Sequence, residues 1–182
     1  MTYTIPNLLT LLRIALIPLM IFVYVSPLPY AMQLAALIFG LAGITDWLDG
    51  YLARKLNQTS PFGAFLDPVA DKLIVACALV LVLYQHPSLY ILIPALIIIG
   101  REITVSALRE WMAGLGKRKT VAVSFLGKLK TTVQIIAILF LLWYQPLMGI
   151  PTYIIGVWLL IVAAVLTLIS MFDYLRVALR AH

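Results

Sequence analysis

Charge is scarce in this chain. Only 11% of its 182 residues are Asp, Glu, Lys or Arg, while 64% are hydrophobic, and the mean hydropathy is +1.08. So few charges cannot cover the surface of a soluble domain, whose composition lies nearer one half apolar. Cysteine is almost missing: Cys77 stands alone, which excludes an intrachain disulfide and a thiolate metal framework. Within its apolar run it reads as a small core residue. Histidine is equally sparse; His86 falls in a short connection and is expected to be solvated, and His182 is terminal. Repeats, low-complexity tracts and linkers are absent as well, so a single domain over residues 1–182 is predicted.

What remains is a series of apolar runs with charge at their ends. The net charge of +6 would suggest nucleic acid in a soluble protein, but the basic residues flank apolar segments and form no surface interleaved with aromatics. Lipid is the solvent this composition calls for. A bilayer crossing needs about 20 apolar residues, and six crossings are predicted: Leu8 to Val25, Tyr30 to Leu56, Pro61 to Gln85, Ser88 to Ala113, a start between Val121 and Lys128 running to Tyr144, and Pro151 to Leu179. The fold class is all-α, a polytopic membrane protein with six transmembrane helices. Residues 114–120 form the one clear polar loop. Pro18 is a kink candidate in the first span, and Pro68 leaves two starts open for the third, near Pro61 or near Pro68. The first run lacks a small-residue cleavage site after it and is expected to stay as a helix.

The connections sort by charge. Ser26 to Pro29, Gln85 to Ser88 and Gln145 to Pro151 carry no Lys or Arg. The opposite face holds Arg54 and Lys55, then Arg109, Lys117, Arg118 and Lys119, then Arg176 and Arg180. The positive-inside rule places that face, and both termini, in the cytoplasm, in agreement with an even number of crossings. Lys117 to Lys119 read as a topology anchor, and Trp47, Trp111, Trp143 and Trp158 as candidate interfacial anchors.

Seven acidic residues are present, and Asp46, Asp49, Asp67 and Asp71 fall close together. Asp46 and Asp49 share one helix face, as do Asp67 and Asp71, and the polar stretch between turns the chain back so that the pairs meet near the cytoplasmic surface. An Asp in a membrane helix costs roughly 2.5–3.5 kcal/mol on insertion scales, and neighbouring carboxylates repel unless protons or cations intervene. Oxygen-only ligands suit Mg²⁺ or Mn²⁺, and four aspartates are enough for two ions. Arg54, Lys55 and Lys72 near the acids suit a phosphate held beside them. Gly50 and Ala53 lie on the Asp46 face, either for close approach of a ligand or for helix packing. Arg101 follows a long apolar run; Arg101, Arg109, Lys128 and Lys130 are candidates for a second anionic group, against the alternative of topology anchoring. Lys128 and Lys130 do not share a regular helix face and are placed at a helix start. Asp173 is expected to pair with Arg176.

The run Asp46-Trp-Leu-Asp49-Gly50-Tyr-Leu-Ala53-Arg54, followed by Gly63, Asp67 and Asp71 at fixed spacing, resembles the signature of the CDP-alcohol phosphatidyltransferases at every position. Asn7, Thr10 and Arg13 resemble that family's first-helix element. The segments from Arg101 to Trp111 and from Gly127 to Thr131 are similar to the branch of the family that uses sn-glycerol 3-phosphate as acceptor. The resemblance implies transfer of the phosphatidyl group of CDP-diacylglycerol to sn-glycerol 3-phosphate with release of CMP. It implies metal on Asp46, Asp49, Asp67 and Asp71, with Asp71 also the general base. It places Asn7, Thr10, Arg13, Gly50, Ala53 and Arg54 at the CDP-diacylglycerol, and it implies a homodimer in a bacterial inner membrane. Other readings stay open on the residues: a relative using inositol phosphate or serine, a cation transporter, which would show midplane acids and related halves, or a structural protein with a bound metal.

Overall fold

A computed structural model describes residues 5–56, 61–114 and 125–180. They form six α-helices: α1 (Ile5–Val25), α2 (Ala31–Leu56), α3 (Pro61–Gln85), α4 (Leu89–Gly114), α5 (Phe125–Trp143) and α6 (Thr152–Arg180). The ends agree with the hydropathy reading to within a few residues. The third helix begins at Pro61 and carries Pro68 inside it. A proline is at home in a first turn, where its missing N–H has no intrahelical partner to lose. Pro68 removes one interior hydrogen bond, and the helix continues through it. The fifth helix starts at Phe125, so Lys128 and Lys130 lie within its opening turns rather than flanking its start.

Three helices are long and apolar enough to cross a membrane, over Asn7–Val25, Leu89–Met112 and Thr152–Phe172, and shorter apolar stretches occupy Ala31–Asp46 and Leu129–Trp143. Large apolar side chains face outward in mid-helix, among them Phe22, Leu37, Val80, Leu96 and Val165, all more than half exposed. A band of that kind is stable against lipid tails and aggregates in water. Inside, the core runs from Met20 and Phe39 through Leu79, Ile98 and Ile138 to Leu160.

Small residues set the helix spacing. A Cβ on Gly156 would lie 2.9 Å from the Leu141 side chain, so α5 and α6 approach closely because that position has none. A Cβ on Gly40 would meet the Leu139 side chain at an ordinary 3.6 Å, and Ala36 is buried; both pack within the chain.

His86 corrects an expectation. It is half-buried rather than solvated, stacked on Tyr144 with ring centroids 3.9 Å apart, and Tyr153 meets both rings edge-on. Tyr144 takes a left-handed backbone at φ 62° just past α5, a helix-ending geometry that redirects the chain. Residues 115–124, with Lys117, Arg118 and Lys119, lie outside the described residues, as do the side chains of Trp47, Asp173 and Arg176.

Candidate active site

The site is built from α1 upward. Asn7, Thr10 and Arg13 recur every three residues, which puts them along one stripe of α1. All three are buried, Arg13 completely. A buried guanidinium is tolerable only against carboxylates that neutralise and hydrogen-bond it. The fold supplies them from two neighbouring helices.

Arg13 donates through Nη1 to Asp71 of α3 at 2.5 Å. Its Nη2 donates to Asp49 of α2 and lies 3.3 Å from an Asp46 oxygen. Thr10, one turn earlier, donates its hydroxyl to Asp67. All four aspartates of the motif are therefore drawn toward one stripe of α1. Asp49 is nearly buried, whereas the Asp46 and Asp71 side chains are 49% and 43% exposed. The exposed pair opens onto a cavity of about 100 Å³ bordered by Arg13, Asp46, Asp71, Thr131 and Gln134. Gln134 of α5 is buried, and among the described residues its side-chain oxygen has no hydrogen-bond partner.

A second polar cluster joins α4, α5 and α6. Glu102 accepts from Lys130 at 2.5 Å and from Arg101 at 3.2 Å, and Arg101 also donates to Ser170 at 2.9 Å. Arg101 and Lys130 are buried, while the Glu102 side chain is a quarter exposed. Two cations share one carboxylate, which leaves the group with excess positive charge. Arg109, two turns further along α4, is exposed. The side chains of Gly50, Ala53, Arg54 and Lys128 lie outside the described residues.

Sequence reasoning therefore named most of the charged members of both clusters but missed their wiring. Arg13 appeared as a ligand contact of the first helix, and it is the centre of the aspartates. Glu102, within the segment from Arg101 to Trp111 and on one helix face with Arg109, ties Arg101 to Lys130. Ser170 was not singled out: nothing in the apolar run around it indicated that it would receive an arginine from a helix 69 positions away. Gln134 carried a usable signal, since an amide inside an apolar helix calls for a partner.

The donor chemistry of the four aspartates fits a hard divalent cation, for it is oxygen throughout. Among the described residues no three acids surround one point as a ready ligand shell; Asp46, Asp49 and Asp71 turn instead to the Arg13 guanidinium.

Comparison with known proteins places this geometry. The family model for CDP-alcohol phosphatidyltransferase matches residues 3–169. A protein of Salmonella choleraesuis (strain SC-B67) named CDP-diacylglycerol–glycerol-3-phosphate 3-phosphatidyltransferase is 54% identical over 98% of this chain and 96% of its own length. Proteins of the same name from Shigella flexneri serotype 5b (strain 8401) and Escherichia coli (strain K12) are each 53% identical over the same shares. The buried arginine, the four aspartates around it and this likeness along nearly the whole chain lead to one assignment: the chain belongs to the CDP-alcohol phosphatidyltransferase family.

Proposed function

We propose that this protein is a CDP-diacylglycerol–glycerol-3-phosphate 3-phosphatidyltransferase of phospholipid biosynthesis. The observation that carries the reading is the gathering of Asp46, Asp49, Asp67 and Asp71 from two helices onto one stripe of α1, in a chain 54% identical to a relative of that name. In the reaction, the C1 hydroxyl oxygen of sn-glycerol 3-phosphate attacks the phosphorus that carries diacylglycerol. The bond from that phosphorus to the bridging oxygen of CMP breaks, and CMP leaves with the electron pair. The hydroxyl proton passes to the Asp71 carboxylate, since a hydroxyl is a weak nucleophile at neutral pH and a positioned base lowers the barrier.

Asp46, Asp49, Asp67 and Asp71 would hold Mg²⁺ or Mn²⁺, two ions in our reading. Bound there, the metal supplies electrostatic stabilisation of charge on the phosphoryl oxygens and the leaving group. Arg101 and Lys130, with Arg109 and Lys128 nearer the α4–α5 connection, take the phosphate of the acceptor. Glu102 holds the first two in register. Asn7, Thr10, Arg13, Gly50, Ala53 and Arg54 stand at the CDP-diacylglycerol in this reading.

A lipid substrate with a nucleotide head needs a site where tails stay in hydrocarbon and the head meets water. The aspartates lie in the halves of α2 and α3 nearer their connection, while Arg101 and Glu102 lie midway along α4 and Lys130 in the second turn of α5; Arg54 and Lys55 at the end of α2 and Lys117, Arg118 and Lys119 after α4 put basic residues on that side. We accordingly infer six crossings, with both termini and the site on the cytoplasmic side of a bacterial inner membrane, and a homodimer as the working assembly.

The test is CMP release by purified protein in detergent with CDP-diacylglycerol and Mg²⁺. Sn-glycerol 3-phosphate, inositol phosphate and serine are compared as acceptors, alongside a chelator control and Asp71→Asn. Release that needs glycerol phosphate, metal and Asp71 is expected. Release with another acceptor would overturn the acceptor, and no release from folded protein would overturn the enzyme.

A further inference from the structure

We propose that Arg13 is the resident counter-cation of the aspartate cluster: its guanidinium holds Asp46, Asp49 and Asp71 together and yields those oxygens when a divalent cation loads. The inference rests on the metal reading given above. It makes Arg13 a positioning residue for the metal ligands.

The geometry supports exchange rather than coexistence. Arg13 is fully buried and spreads its two terminal nitrogens over three carboxylates on two helices. Three carboxylates left alone at this range would repel one another and push α2 and α3 apart. The guanidinium fork is suited to bridging them, because it donates in two directions from a rigid plane. Yet an oxygen that accepts a charge-assisted hydrogen bond from Arg13 presents a positive group where a metal would approach. Arg13 takes one oxygen of each carboxylate, and its positive charge opposes a metal at the same acids. The side chain has somewhere to go, for the cavity beside Asp46 and Asp71 borders Arg13 as well. Among the described residues its Nε has no hydrogen-bond partner, so on that side no described group tethers it.

Thr10 marks the contrast. It satisfies Asp67 with a neutral hydroxyl, which adds no positive charge against an incoming ion. Asp67 therefore meets an incoming metal with no opposing charge from Thr10, while the other three share theirs with Arg13.

The test measures Mn²⁺ affinity directly, by the loss of the free-ion electron paramagnetic resonance signal on titration into detergent-purified protein. Wild type, Arg13→Gln and Arg13→Lys are compared, each with a melting curve in Mn²⁺ and in chelator. Arg13→Gln is expected to bind Mn²⁺ about tenfold more tightly, the scale on which one neighbouring charge shifts an ionic equilibrium. Its melting temperature should fall in chelator by more than that of wild type, and Mn²⁺ should restore it. Arg13→Lys keeps the charge without the fork and should fall between. Unchanged or weaker Mn²⁺ binding by folded Arg13→Gln would overturn the inference while leaving the metal reading in place. Wild-type protein that binds no Mn²⁺ would sink the metal reading itself. Should Arg13→Gln fold only when prepared with Mn²⁺, that dependence supports the exchange, and the Lys variant supplies the affinity comparison.

Discussion

The two polar clusters of this protein are electrostatic opposites. Around Arg13, one cation is surrounded by three carboxylates. Around Glu102, one carboxylate is shared by two cations. Each cluster is stabilised by a single ion of the minority sign, and each keeps an excess of the majority sign. The excess predicts the visitor: a cation at the aspartates and an anion at Arg101 and Lys130. The difference teaches that in a low-dielectric bundle a binding site for a charged ligand is built with a resident opposite charge, because bare like charges could not stay buried together.

The comparison is broken most severely at the aspartates. Asp71→Asn keeps the shape and removes the base, so the rate of CMP release should fall by about 10²–10⁴-fold, with a melting curve close to wild type. Next comes Lys130→Met, which takes one of the two buried cations from the second cluster. We expect the KM for glycerol phosphate to rise by about tenfold or more, with the KM for CDP-diacylglycerol nearly unchanged, since losing a charge-assisted hydrogen bond costs on the order of 1.5–3 kcal/mol. Equal effects on both substrates would show that the clusters do not divide the work. Glu102→Gln sharpens the same point from the other sign: two buried cations lose their shared anion, and stability should fall by about 1–3 kcal/mol, read by thermal unfolding in detergent.

Smaller effects belong far from both clusters. Gly156→Val forces a side chain into Leu141 and should cost about 1–3 kcal/mol by overpacking, without altering either KM. His86→Ala should leave activity unchanged and cost about 0.5–1.5 kcal/mol of aromatic stacking. Burial lowers the His86 imidazole below its usual 6.5. The unfolded chain therefore takes up the proton first, so the stability contributed here is present above pH 6.5 and lost as pH falls below it. Melting curves of wild type and His86→Ala from pH 7 to pH 5 should converge; parallel curves would show that His86 is not held neutral.

The sequence by itself determined the all-α class, the helix count and which acids could meet. Long apolar runs bounded by turns leave lipid-facing helices as the low-energy arrangement, and the spacing of Asp46, Asp49, Asp67 and Asp71 fixes which acids share a face, because helical periodicity is local. It also located α3 to within two candidate prolines. Tertiary structure alone decided which cation meets which acid. Arg13 lies 58 positions from Asp71, and Lys130 lies 28 from Glu102; such pairings depend on which helices become neighbours, and no local pattern encodes that. The same holds for Ser170 beneath Arg101 and for His86 against Tyr144. Helix packing chooses these partners, since a charge withdrawn from water must find its complement among whatever groups the neighbouring helices bring within reach.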